Sequence, residues 1–321
     1  MHYHMLQELH YVRFPDLAEP YVMVEQLGLH LTTNRQVVQS MILEHFDGVI
    51  GDLHQAVMLR QNAHLIQQAN AGLPGMDMET AHAMTRMHVQ QSLLLLQSLW
   101  LVKDNCVNAG PVYFAAHQNL GGDKWTLGTH PYWFFTADCR LRDTEFSRAE
   151  LEEAIRLYRA SSENSSKAPY DAYHPEPSIA AVESPVGRAL LAVRSARAVD
   201  DIGLKVAFYC VAFEALLSTD KDAVAHRIAE RTAVLIGTAT DKVAIYRDLK
   251  KLYDGRSKVL HGSQLHRKDL DALLGRVARC DDYLRRTLRR VLLEEDLKLL
   301  FARDSTEDLD NYFLGRLLPN S

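Results

Sequence analysis

The stretch "LYDGRSKVLHG", Leu252 to Gly262, sets an arginine, Arg256, and a histidine, His261, five positions apart among residues that otherwise suit a packed helix. An imidazole titrates near neutral pH and can accept and return a proton, whereas a guanidinium stays charged and presents a forked donor set that fits phosphate. Together they supply a minimal kit for metal-free phosphodiester chemistry: one proton-transfer group and one charge stabiliser. Ser257 and Lys258, between them, add a hydroxyl that can hydrogen-bond phosphate and a second cation for an RNA backbone.

At about 100° per residue, Leu249, Leu252, Arg256 and Leu260 share one stripe, so Arg256 takes a place the pattern gives to an apolar side chain. A guanidinium there must snorkel to the rim, pair with a carboxylate, or face a cleft in which an anionic ligand completes it. On an unbroken helix His261 lies about 140° around and about 7.5 Å along from Arg256, so the two do not share a face. A bend at Gly255 or Gly262, or a second protomer, has to close that angle.

Glu214 is the one charged residue in the apolar run Val206 to Leu217. It is a counter-ion for Arg227, Arg231 or Arg256, and in a functional reading it orients Arg256 or tunes His261. Tyr253 is either core or part of the same cleft. Farther on, Arg276, Arg279, Arg286 and Arg290 follow a broad helix face with Arg285 and Arg289 beside it. Such a stripe tracks an RNA backbone, or is a solvated face whose charge complements the helix dipole.

The elements that must position these groups are mostly helical. Residues 35–69 and 77–103 show helical spacing, and "GPVYFAAHQ" and "THPYWFFTAD" read as a β-hairpin around Gly121-Gly122-Asp123. Ser147 with Glu150 makes a capping box for a helix to about residue 160. Residues 161–184, rich in Ser, Pro and charge, read as a linker. Beyond it, helices open at Pro185, in "DDIGLKVAFYCVAFEALLS", at Asp220 (stopping at Gly237), at Thr238 or Thr240, over Lys268 to about Glu295, and near Ser305. The expected fold is mainly α: an α+β N-terminal region with a small β-hairpin (1–160), serving recognition or sensing, then an all-helical bundle (185–321).

Composition narrows the function classes. The chain has 321 residues, 47% hydrophobic and 24% charged, with a net charge of -5, which disfavours coating nucleic acid through bulk positive charge. Four dispersed cysteines suggest free thiols of a reducing compartment. The 15 histidines are scattered without H-E-x-x-H, so no metal site is expected, and P-loop, G-x-S-x-G and G-x-G-x-x-G motifs are absent. With no leader-like start and no apolar run of about 18 residues, the expected location is the cytoplasm, away from membranes.

"LYDGRSKVLHG", preceded by "VAFYCVAFEALLS" and "AHRIAERTAVLIG", resembles the HEPN superfamily (higher eukaryote and prokaryote nucleotide-binding), especially its Apea-like branch. The signature is an arginine, four to six residues, and a histidine near a glycine, and the resemblance spans roughly Ala189 to Leu293. It implies a helical bundle that dimerises, juxtaposing two motifs in a composite cleft. Many members are metal-independent endoribonucleases of toxin–antitoxin, CRISPR-associated and antiphage systems. By implication Arg256 and His261 are catalytic: His261 serves the ribose 2′-OH or the leaving oxygen as base or acid, Arg256 steadies the phosphate, and a cyclic 2′,3′-phosphate and a 5′-hydroxyl result. Ser257, Glu214 and Tyr253 would support them. Ser257 stands where many catalytic members carry Asn, Asp or His, so a non-catalytic module for dimerisation or for nucleotide or RNA binding is the alternative, with a structural adaptor behind it. Expected partners are RNA, a second copy and a regulatory protein; no cofactor is expected.

Overall fold

The computed structural model describes residues 2–17, 21–25, 28–70, 78–117, 124–127, 133–162, 182, 184–219, 222–260, 267–303 and 305–318. Among these the chain is mainly helical, with an α+β region in its N-terminal half followed by helices. Two compact units emerge: Met1–Leu96 with Cys106–Phe134 and Leu141–Ile155, and Gln97–Asn105 with Phe135–Arg140 and Arg156–Ser321. The second unit thus takes in Gln97–Asn105, Phe135–Arg140 and residues 156–160, which a division at residue 160 leaves with the first. Of the expected linker, 163–181 and 183 lie outside the described residues.

The first unit is built on a six-stranded antiparallel sheet. Its strands are β1 (His2–His10), β3 (Tyr21–Val24), β4 (Leu29–Thr32), β5 (Ala63–Asn70), β6 (Asn108–His117) and β7 (Lys124–Leu127), in the order β3-β4-β5-β1-β6-β7. Two short strands, β2 (Val12–Arg13) and β8 (Thr144–Glu145), pair in parallel beside it. β1 is flanked on both edges and buried along most of its length, which is why "HYHMLQELH" lacks the alternation of a strand with one wet face. On one sheet face Leu6, Ile66, Tyr113 and Ala115 meet Val38, Met41 and Phe46 from α1 (Arg35–Met41) and the π-helical turn Ile42–Phe46, and Met58 from α2 (Asp52–Met58). On the other, Ser92 of α3 (Met78–Val102) donates to Gln7 Oε1 at 2.5 Å, and His88 Nδ1 lies 2.9 Å from Gln67 Oε1.

Two sequence expectations are corrected here. The helix expected over 35–69 is broken: Gly48 takes φ 73°, α2 ends at Met58, and 63–70 form β5. Pairing with β1 along its length and with β4 over His64–Gln67 satisfies the backbone of "AHLIQQAN", overriding a local spacing that is ambiguous in short apolar runs. The expected hairpin exists, but β6 pairs with "KWTL". Residues 133–138 form no strand, their amides being taken elsewhere: Phe134 N–H donates to Asn108 Oδ1 and Phe135 N–H to the Arg197 carbonyl at 2.8 Å. The expected turn, Gly121-Gly122-Asp123, lies outside the described residues.

Helix starts follow local chemistry closely. Ser147 N–H donates to Glu150 at 2.9 Å and Glu150 N–H to Ser147 Oγ at 3.3 Å, a reciprocal capping box that opens α4 (Arg148–Ser162). In the second unit Ser184 caps α5 (Pro185–Arg197) with proline in its first turn, and Asp201 accepts from Leu204 N–H at 2.8 Å to open α6 (Ile202–Leu217). Then come α7 (Val224–Ile236), α8 (Lys242–Leu260), α9 (Arg267–Leu293), α10 (Glu295–Ala302) and α11 (Thr306–Leu317), the last capped by Ser305. α7 begins later than Asp220, after Ala223 in the left-handed region, and it ends against Gly237. One continuous core joins these helices, with Val206, Tyr209 and Phe213 of α6, Ile245, Leu249 and Leu252 of α8, and Val277, Leu284 and Leu288 of α9 fully buried.

Candidate functional site

Arg256 reaches its place because α8 is anchored one and two turns earlier by Leu249 and Leu252, both fully buried. Its guanidinium faces α6, where Nη1 donates to Glu214 Oε1 at 2.6 Å. The arginine's unfavourable stripe position is thereby met by the one carboxylate of the apolar α6 run. Both side chains keep about 30% exposure, at 30% and 29%, so the pair sits at a rim rather than in the core. The guanidinium carbon lies 5.9 Å from the centre of the Tyr253 ring, whose hydroxyl donates to the Cys210 carbonyl at 3.4 Å. Burial raises the Tyr253 hydroxyl well out of the physiological range and pushes the Cys210 thiol up to about 12, so neither is an ionised nucleophile at neutral pH. Glu214, Tyr253 and Arg256 thus form one cluster. Its chemical capacity is that of a phosphate clamp: among the described residues one N–H of the guanidinium is engaged in a hydrogen bond, leaving further donors on a partly exposed edge.

α8 runs through Gly255 without ending there. A Cβ at Gly255 would lie 3.1 Å from Leu273 Cδ1; the missing side chain lets α8 approach α9 closely. Ser257 and Lys258 are exposed. His261, with residues 262–266, lies outside the described residues.

The expected arginine stripe on α9 separates by partner. Arg279 makes a two-pronged contact with Asp248, at 2.6 and 2.8 Å, which holds the Asp248 carboxyl below its usual range. Arg286 donates to the Ile236 carbonyl at 2.6 Å, and Arg290 to the Leu235 carbonyl and to Glu294 at 2.5 and 2.6 Å. These three tie α9 to the end of α7, to α8 and to the following turn. Among the described residues Arg276 has no such hydrogen bond for its buried Nε, and it lines a groove with Lys258. Arg285 belongs to the interior, donating to Asp281 at 2.6 Å.

Sequence reasoning missed two polar clusters. In the second unit Asp281, fully buried, accepts from Trp100 Nε1 at 3.0 Å, the Tyr209 hydroxyl at 2.6 Å and Arg285. Beside it Arg197 donates to Asn105, Lys205 to the Ala196 carbonyl at 2.7 Å, and Asp104 accepts from Ala137 N–H at 3.1 Å. Burial and the neighbouring Asp281 raise the Asp104 carboxyl to about 6. No sequence spacing signals this network, since Trp100 and Asp281 are 181 residues apart. In the first unit Glu8, almost fully buried, lies 3.3 Å from His10 Nε2 and 3.2 Å from His54 Nε2. Here a signal was present: Glu8 and His10 alternate onto one face of a strand.

Among the described residues, no group of three or more His, Cys, Asp and Glu side chains is arranged to hold a metal, and no helix is long and apolar enough to cross a membrane. No protein-family model matches this chain, and neither do curated proteins or solved structures.

Proposed function

We propose that this chain is a HEPN-like, metal-independent endoribonuclease that works as a homodimer, in antiphage defence or as a toxin. The observation carrying the reading is the Arg256–Glu214 pair: a guanidinium fixed by a carboxylate on the neighbouring helix, half-exposed, with donors left for a phosphate. In this reading the ribose 2′-oxygen attacks the adjacent phosphorus as its proton passes to a base, and the bond from phosphorus to the 5′-oxygen breaks. The products are a 2′,3′-cyclic phosphate and a 5′-hydroxyl. Arg256 stabilises the charge that builds on the phosphoryl oxygens, Glu214 and Tyr253 hold it in position, and Ser257 offers a hydroxyl donor. His261 is the proton-transfer group on the ground of its chemistry and its five-residue spacing from Arg256.

Incubating the purified full-length chain with total RNA in chelator, beside Arg256→Ala and His261→Ala, tests this directly. Cleavage with cyclic-phosphate ends, lost in both variants, supports the reading; intact RNA in every tube sinks it. Light scattering at micromolar concentration tests the dimer independently. The same ion pair also favours a second reading, a non-catalytic RNA- or nucleotide-binding module in which Glu214 neutralises Arg256 for structural reasons. Binding without cleavage selects that one.

A further inference from the structure

Between α8 and α9 the second unit carries an open groove of about 200 Å³. Three cations line it: Lys251 and Lys258 from α8 and Arg276 from α9. Arg276 buries its Nε with no hydrogen-bond partner, and the two lysines are exposed with no ion pair among the described residues. Arg276 as a whole is partly exposed, so its charge reaches the groove although its Nε is closed off. The nearby Asp248 carboxylate takes its hydrogen bonds from Arg279 and Tyr283. Gly255 and Ala272 add little side-chain bulk to the lining, so an anion can come close to the helix backbones.

We propose that this groove seats a backbone phosphate of single-stranded RNA, held by Lys251, Lys258 and Arg276. The assignment rests on the reading of the chain as RNA-acting, but not on cleavage at Arg256. A duplex needs a long cationic track, and on α9 the arginines that would make it, Arg279, Arg286 and Arg290, are engaged with internal partners. Asp254 and Asp269 also line the groove, leaving three positive charges against two negative. That balance suits one compact, doubly hydrogen-bonding anion better than a run of carboxylates, and so favours a phosphodiester over an acidic peptide.

The test uses the full chain and a fluorescently labelled single-stranded RNA in chelator, with affinity measured by anisotropy from low to moderate salt. The variants are Lys251→Gln/Lys258→Gln/Arg276→Gln, Asp254→Asn/Asp269→Asn, and Arg256→Ala. Removing the three cations is expected to weaken binding about tenfold or more and to flatten the slope of log affinity against log salt by about 0.7, the share of one single-strand phosphate. Removing the two carboxylates is expected to tighten binding, a gain that misfolding cannot mimic. Unchanged affinity and slope in the triple variant, no binding by the wild type, or equal competition by polyglutamate would each overturn the groove. Arg256→Ala separates the two ideas: groove-dependent binding without cleavage by the wild type leaves the groove standing and removes the nuclease. Arg256-dependent cleavage with groove-independent binding does the reverse.

Discussion

Arg256 and Glu214, 42 positions apart in sequence, meet at 2.6 Å across the α8–α6 contact, each with about 30% of its side chain open to solvent (30% and 29%). Solvent screens such a pair, so its role in stability is small and its role in orientation larger. A double-mutant cycle of Arg256→Ala and Glu214→Ala, read by urea denaturation, is expected to give a coupling of about 1 kcal/mol. In single-turnover RNA cleavage Arg256→Ala is expected to cost about a hundredfold or more and Glu214→Gln about tenfold, since glutamine still accepts from the guanidinium. Equal losses would mean that Glu214 does more than orient.

Asp281 accepts from Trp100, Tyr209 and Arg285 with no exposure to water. Asp281→Ala leaves the buried Arg285 cation and two donors without that acceptor, and is expected to destabilise the chain by about 3–5 kcal/mol. Urea denaturation followed by Trp fluorescence measures it; a loss below about 1 kcal/mol would show that water or Asp282 takes over the role.

Two buried groups titrate with opposite effect. Asp104 is raised from 3.8 to about 6, so between those values the folded chain holds the extra proton and stability falls as pH rises, by on the order of 3 kcal/mol. His88 is lowered by burial from 6.5 to about 4, so across that window the unfolded chain holds the extra proton and stability rises with pH, by a similar amount. The two contributions largely cancel in the wild type from about pH 4 to 6. Asp104→Asn, which can still accept from Ala137, is expected to uncover the rising arm, and His88→Gln the falling one. Chemical denaturation at a series of pH values checks both; identical profiles in all three proteins would contradict the assignment.

Gly110 makes room for Glu8. A Cβ there would meet Glu8 Oε1 at 2.6 Å and Cγ at 2.7 Å, and the carboxylate is held between His10 and His54 and cannot easily withdraw. Gly110→Ala is expected to destabilise the chain by about 1–3 kcal/mol. In a Glu8→Ala background the same change should be far milder, because the clashing atoms are gone. Additive thermal or urea shifts would place the strain elsewhere.

Much of the helical half was legible before any coordinates. Ser147 with Glu150, Ser184 with Pro185, the apolar run around Glu214 and Ser305 all act through neighbours within a turn or two, and such local rules act on sequence directly. The sheet was far less legible. "AHLIQQAN" becomes β5 only because β1 and β4 lie on either side of it, and pairing between residues dozens of positions apart leaves no local mark.

For the site, the sequence by itself determined that Arg256 stands on an apolar stripe and needs a partner, and it offered Glu214 as one of few candidates. Only the tertiary structure decided that Glu214 is that partner, that Arg231 goes instead to Asp310 and the Leu217 carbonyl, and that the α9 arginines divide between internal braces and one groove. The reason is physical: helical periodicity fixes the direction in which a charge points, but the carboxylate that meets it is chosen by how helices distant in sequence pack.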